Sequence, residues 1–161
     1  MRSGPDGVAY VFDTSALIGA WVRTYPPDVM PGLWENLDNL ARRGEMHAPE
    51  EVLAELKRQD DDLAAWVKAR SDQIVVATTR ALMLEARDIL RDHAGLTMTG
   101  TGRGLADPFV IALAALKECP VVTYEQGGSA AKPRIPYVCG QRRVGCMNML
   151  GVIRAERWQF R

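Results

Sequence analysis

The first regular pattern along the chain is an unbroken apolar run, Val8 to Phe12, behind the turn-like SGPDG. β-Branched and aromatic residues without alternation predict a short strand covered on both faces. Ser15–Arg23 then reads as a helix, stopped by Tyr25-Pro26-Pro27-Asp28. Leu33, Trp34, Leu37 and Leu40 recur at helical spacing, so Pro31–Arg43 is predicted helical, with Gly44 as its stop. A brief strand at Glu45–Ala48 leads into PEEVLAELKRQ, a helix with Pro49 at its start. Asp60-Asp61-Asp62 breaks or recaps the chain before a helix through Trp66. Gln73–Ala77 is expected as a strand and Arg80–His93 as a helix. A glycine-rich stretch, TMTGTGRG, precedes the helix Asp107–Lys117. Pro120–Thr123 and Ile135–Cys139 are predicted strands, and Cys146–Arg154 a last helix.

Short apolar strands alternating with helices predict an α/β chain, a three-layer α/β/α arrangement around a central, mostly parallel sheet. Ligands of such sheets bind beyond the carboxyl ends of the strands. With 161 residues the chain is most simply one domain, residues 1–161. No apolar run approaches the roughly 20 residues of a membrane span, so no membrane partner is expected. The opening MRSGPDG carries no apolar signal segment, and a cytoplasmic location follows as the expectation. In that setting Cys119, Cys139 and Cys146 are expected as buried thiols rather than disulfides or zinc ligands.

Net charge is zero but unevenly spread. From Lys132 onward seven basic residues stand against one acid, Glu156, while residues 1–131 carry 13 basic and 19 acidic residues. A polyanion-facing region can therefore sit beside an acidic one, although a solvated arginine-rich surface explains the same count.

The acids carry the chemistry. Asp13 follows the first strand directly, where an unneutralised charge costs most. Glu125 follows Val121-Val122-Thr123, and Asp107 heads an apolar helix. Glu51 and Glu55 lie four apart on one helix face. Each has an ordinary reading alone: Asp13 and Asp107 as helix caps, Glu51 and Glu55 as solvated, Glu125 as a loop residue. Their order along the chain is what raises a second reading.

VFDTSALI, APEEVLAEL, LADPFVIALA and VVTYE together resemble the successive motifs of PIN-domain ribonucleases, including VapC-like toxins, along almost the whole chain. DDLAAW and IPYVC…CMNML resemble a PIN-like subfamily of mostly uncharacterised members. The resemblance implies a catalytic set of Asp13, Glu55, Asp107 and Glu125, with Asp13, Asp107 and Glu125 as metal ligands. Thr14, Ser15 and Thr123 would support them. Glu51 is the alternative second acid; Glu55 is preferred from its spacing to Val52 and Leu56. Glu125 departs from the usual aspartate by one methylene.

Four converging carboxylates repel: two unit charges ~5 Å apart at an effective dielectric of ~20 cost roughly 3 kcal/mol. A cation relieves this, and hard oxygen donors suit Mg²⁺ or Mn²⁺. The activity expected is metal-dependent endonucleolytic hydrolysis of RNA, with Arg134, Arg142 and Arg143 holding phosphates. The resemblance also implies a cognate antitoxin and a possible homodimer. The competing reading is an inactive PIN-like module that binds RNA or protein. TGTGRG lacks the Lys-Ser/Thr of a phosphate loop and reads as a flexible lid or loop, and Ser15 has no nucleophile-elbow context.

Overall fold

The computed structural model describes residues 8–59, 62–97 and 105–161. β1 (Tyr10–Phe12) runs into α1 (Thr14–Gly19), which continues as a π-helical turn, Ala20–Thr24. Next come α2 (Pro31–Arg42), β2 (Met46–Pro49) and α3 (Glu50–Gln59). α4 (Asp62–Ala69) and the single turn α5 (Ser71–Ile74) lead to β3 (Val75–Val76). α6 (Arg80–Asp92), α7 (Asp107–Lys117), β4 (Val121–Val122), α8 (Ile135–Gln141), β5 (Cys146–Met147) and α9 (Met149–Ala155) complete the order.

Among the described residues five strands form one sheet, ordered β3-β2-β1-β4-β5, with every pairing parallel. Helices flank it, which is why Tyr10, Val11 and Phe12 are all buried and why β1 shows no polar alternation. Val11 lies beside His47 on one side and Val121 on the other. The chain steps outward from β1 through β2 to β3, then returns to place β4 on the other flank of β1. Strand order therefore reverses between β1 and β4, and a crevice opens beyond their carboxyl ends.

α7 is apolar almost all round, and Val110 through Ala114 are buried where it packs on α6 and the sheet. α6 starts on Thr79, whose hydroxyl accepts the Leu82 N–H at 3.1 Å.

Two predicted elements are corrected. Ile135–Cys139 is not a strand but the body of α8, with Pro136 in its first turn and Ile135, Val138 and Cys139 buried at helical spacing. The outer strand falls instead on Cys146–Met147, where a helix was expected. Asn148 then caps α9, accepting the Gly151 N–H at 2.9 Å, so the helix begins at Met149. Cys146 is exposed rather than buried, whereas Cys119 and Cys139 are buried. The lid or loop read in TGTGRG lies outside the described residues, as do Asp60 and Asp61 of the expected break or recap; Asp62, its third residue, is the first of α4. Among the described residues no helix is long and apolar enough to cross a membrane.

Candidate active site

Asp13 is the first residue beyond β1, and its N–H still donates to the Val122 carbonyl at 2.9 Å. Its carbonyl takes the Ala16 and Leu17 N–H groups at the start of α1, while its carboxylate makes no cap hydrogen bond. Helix capping therefore does not account for the side chain. Oδ2 accepts instead from Ser15 Oγ at 2.5 Å and from Thr123 Oγ1 at 2.9 Å. Thr123 is the residue after β4, so the hydroxyl bridges the two strands at the point of reversal. The same pair is tied further: Ser15 Oγ lies 3.2 Å from Thr123 Oγ1 and accepts the Tyr124 N–H at 3.0 Å.

α3 begins where β2 ends, which swings its first two turns across the carboxyl edge of the sheet. Glu55 is buried there and accepts the Thr14 hydroxyl at 3.1 Å. Glu51, one turn earlier, accepts from Thr78 Oγ1 at 2.6 Å and leaves Oε2 buried without a hydrogen bond. The two acids share a helix, yet only Glu55 reaches the crevice.

Asp107 is the first residue of α7, not its cap; Ala106 holds that position, and neither side chain caps the helix. The Asp107 carboxylate is buried, and among the described residues no hydrogen bond or ion pair to it is found. Glu125 follows β4 by three residues, and its N–H donates to Thr123 Oγ1 at 3.1 Å. Its Oε2 accepts the Ile135 N–H at 3.1 Å, satisfying one of the open donors at the start of α8.

Asp13, Glu55, Asp107 and Glu125 line one cleft of about 330 Å³, together with Arg23 and Tyr124. Burial pushes the Asp13 carboxyl up to about 6; Glu125 and Glu55 push the same way, against the Ser15 and Thr123 hydroxyls. Burial raises Asp107 further, to about 10, with the charges of Asp13, Glu125 and Glu55 adding to it. Asp13 has hydroxyl donors to steady its charge and Asp107 has none among the described residues, which accounts for the order of the two. Neither His47 nor His93 lines the cleft, so Ser15 has no imidazole there to activate it.

The basic residues are distributed differently from expectation. Arg134 is exposed at the start of α8, one residue from the N–H that binds Glu125. Arg142 and Arg143 line a hollow with Pro120 and Gly145, the residues that lead into β4 and β5, at the opposite edge of the sheet. Arg142 is also paired with Glu85 at 3.5 Å and Asp92 at 3.0 Å. Among the described residues the cation in the cleft is Arg23, with its guanidinium 5.4 Å from the Tyr124 ring centroid. Sequence reasoning passed over it; its place in the last turn of the first helix, two residues before the Tyr-Pro-Pro stop, is the one local signal.

By donor chemistry the set suits a hard divalent cation: buried carboxylates and, among the described residues, no thiol or imidazole in the cleft and no ion pair to Asp107. In position the set is not drawn together. Among the described residues no three Asp, Glu, His or Cys side chains are arranged to hold one ion. Asp13 rests on Ser15 and Thr123, Glu55 on Thr14, and Glu125 on the Ile135 N–H.

Comparison with known proteins places this geometry. Residues 10–160 match the family described as a domain of unknown function, DUF4411. The fold is similar to that of VapBC2 from Rickettsia felis, a crystal structure of VapBC2 bound to a DNA fragment from their promoter. The similarity has a TM-score of 0.52 at 16% sequence identity and covers 88% of this chain and 98% of that one. No curated protein matches the sequence.

Proposed function

The chain belongs to the DUF4411 family, its fold is PIN-like, and on that footing we propose that it is a metal-dependent endoribonuclease. One observation carries the reading. Four separated segments deliver carboxylates to a single cleft at the strand-order reversal, and nothing in ordinary packing requires the charge of Asp107 there.

Asp13, Asp107 and Glu125 would hold Mg²⁺ or Mn²⁺. When bound, such an ion neutralises charge on a phosphodiester and makes a coordinated water a better nucleophile. The chain's own residues do the remaining work. Ser15 and Thr123 hold Asp13 in one orientation, and Thr14 does so for Glu55, which would orient a water or take its proton. Arg23 and Arg134 neutralise phosphates beside the acids. An open cleft at a sheet edge admits a single-stranded or looped backbone more readily than a duplex, so such RNA is the substrate.

A protein antitoxin is the partner that fits the likeness to a VapBC complex, and this chain would be the toxin of the pair. Expression of the chain alone in a bacterial host is expected to arrest growth, and Asp13→Asn to relieve it. The reading as an inactive RNA-binding or protein-interaction module is favoured by one observation: Asp13, Glu55 and Glu125 rest on protein donors, and among the described residues no three acids are arranged around one ion position. Incubating the protein with RNA and Mg²⁺ or Mn²⁺, beside Asp13→Asn, decides between them. Cleavage lost in EDTA and in the variant supports the nuclease, and binding without cleavage in either metal supports the module.

A further inference from the structure

Beside the acid cleft lies a second, larger hollow, about 520 Å³, beyond the carboxyl ends of β4 and β5. The two share a wall made of Tyr124 and Glu125. Tyr124 is 40% exposed, so its ring is open to a ligand. Its ring is set from behind. A Cβ added at Gly19 would fall 2.6 Å from Tyr124 Cδ2, so the ring lies directly on the α1 backbone, with Arg23 over it.

The charges of the two spaces are divided. The cleft holds all four carboxylates and Arg23, whereas the hollow has Glu125 at its edge and, among the described residues, no basic side chain. Its walls include Tyr25, Tyr124, Pro136, Met147 and Leu150, with the amides of Gln126 and Asn148 among them. Asn148 spends its Oδ1 on the Gly151 N–H, which leaves its amide hydrogens as donors. A phosphate finds no counter-charge in such a hollow. A flat, neutral group with an aromatic face and hydrogen-bonding edges does, and the volume lies within the 300–1,000 Å³ range of small-ligand sites.

We propose that this hollow is a nucleobase subsite: one base of a single-stranded RNA, next to the phosphodiester lying over the carboxylates, stacks against Tyr124, with Gln126 and Asn148 facing its edge. The subsite rests on the reading of the cleft as an RNA site, and it adds Tyr124 as a positioning residue. Base–aromatic stacking tolerates every base, so Tyr124 contributes affinity and the two amides contribute preference.

The test uses the full-length Asp13→Asn protein, so that binding is read without cleavage. A fluorescent single-stranded oligoribonucleotide is titrated by anisotropy, beside a set in which one position at a time is abasic. Tyr124→Ala is expected to weaken binding about ten-fold, and Tyr124→Phe less than two-fold. Loss of the base at one position should cost Tyr124 protein about ten-fold and Tyr124→Ala protein nothing more, because the two changes remove the same contact. Gly19→Ala, which keeps the helix but displaces the ring, and Leu150→Glu, which charges the hollow, should each reproduce part of the loss.

RNA binding that is indifferent to Tyr124 and Leu150 would overturn the subsite and leave the nuclease reading intact. Absence of RNA binding would overturn both. Coupling between Tyr124 and one base, in a wild-type protein that never cuts RNA, would establish the subsite in a binding module and reject the nuclease.

Discussion

Thr123 donates its hydroxyl to Asp13 Oδ2 at 2.9 Å, joining the residues that follow the two strands flanking the strand-order reversal. The same hydroxyl accepts the Glu125 N–H, so one side chain sets two of the four acids. Thr123→Val keeps the shape and removes both contacts. Stability should fall by about 1–2 kcal/mol, read as a denaturant midpoint. The Asp13 carboxyl should titrate above its present value of about 6, because a group that lowers it is gone. RNA cleavage should slow by about ten-fold or more. An Asp13 titration unmoved by the change would show that the hydroxyl does not hold that carboxylate.

Asp107 exchanges stability for its position. Its carboxylate is buried with three other acids around it and no hydrogen bond among the described residues. Near neutral pH the folded chain must take up a proton to bury this carboxyl, and an amide needs none, so Asp107→Asn should make the metal-free protein more stable by about 1–3 kcal/mol, with a melting temperature several degrees higher. Millimolar Mg²⁺ or Mn²⁺ should raise the melting temperature of the wild type and leave that of the variant unchanged. Thermal scans of both proteins in EDTA and in metal measure each effect, and a destabilised variant would contradict the first.

The pH dependence follows with its sign. Asp13 and Asp107 both titrate higher in the folded chain than their ordinary value of 3.8. The folded state therefore holds protons that the unfolded state releases. The stability this contributes is complete below pH 3.8, and it is lost as pH rises, through about 6 for Asp13 and about 10 for Asp107. In EDTA, wild-type stability relative to Asp107→Asn should decline steadily between pH 5 and pH 9. A divalent ion prefers the deprotonated carboxylates and should flatten that decline. Unfolding curves at four pH values give the difference directly; a difference that rises with pH in EDTA would refute the assignment.

Glu51 and Glu55 should separate cleanly. Glu55→Gln is expected to lower cleavage by about a hundred-fold or more. It should also weaken the thermal response to metal. Glu51→Gln removes a carboxylate whose Oε2 is buried without a partner and which lies outside the cleft, so activity and metal response should be retained. Its stability should stay within about 1 kcal/mol. Initial rates on one RNA substrate and paired melts distinguish the two; the reverse pattern would move the second acid one turn back along α3.

Much of this molecule is local enough to be legible in residues alone. The run VAYVF is apolar without alternation because parallel strands are covered on both faces, and Leu33, Trp34, Leu37 and Leu40 mark α2 by helical period. Asp13, Asp107 and Glu125 stand at a strand end, a helix start and a strand end, positions that spacing and turn residues reveal. Motif spacing favours Glu55 over Glu51, and of the two it is Glu55 that lines the cleft. Where two structures compete over a few residues, the sequence was not enough. Ile135 to Cys139 suits a short strand as well as a helix; Pro136 and the Glu125 carboxylate that receives the Ile135 N–H settle it as helix, and that contact spans ten residues. Strand pairing then falls to Cys146–Met147, a two-residue edge too short to have a period. Arg23 was overlooked, and Arg142 and Arg143 were expected at the acids, because charge along a chain does not say which edge of a sheet it occupies. Composition and period determine which residues are buried and in which element. Only the order β3-β2-β1-β4-β5 decides that Asp13 and Thr123 meet, that the arginines before β5 lie at the far edge, and that Tyr124 stands between two clefts. Those are relations between segments far apart in sequence, set by which strands pair.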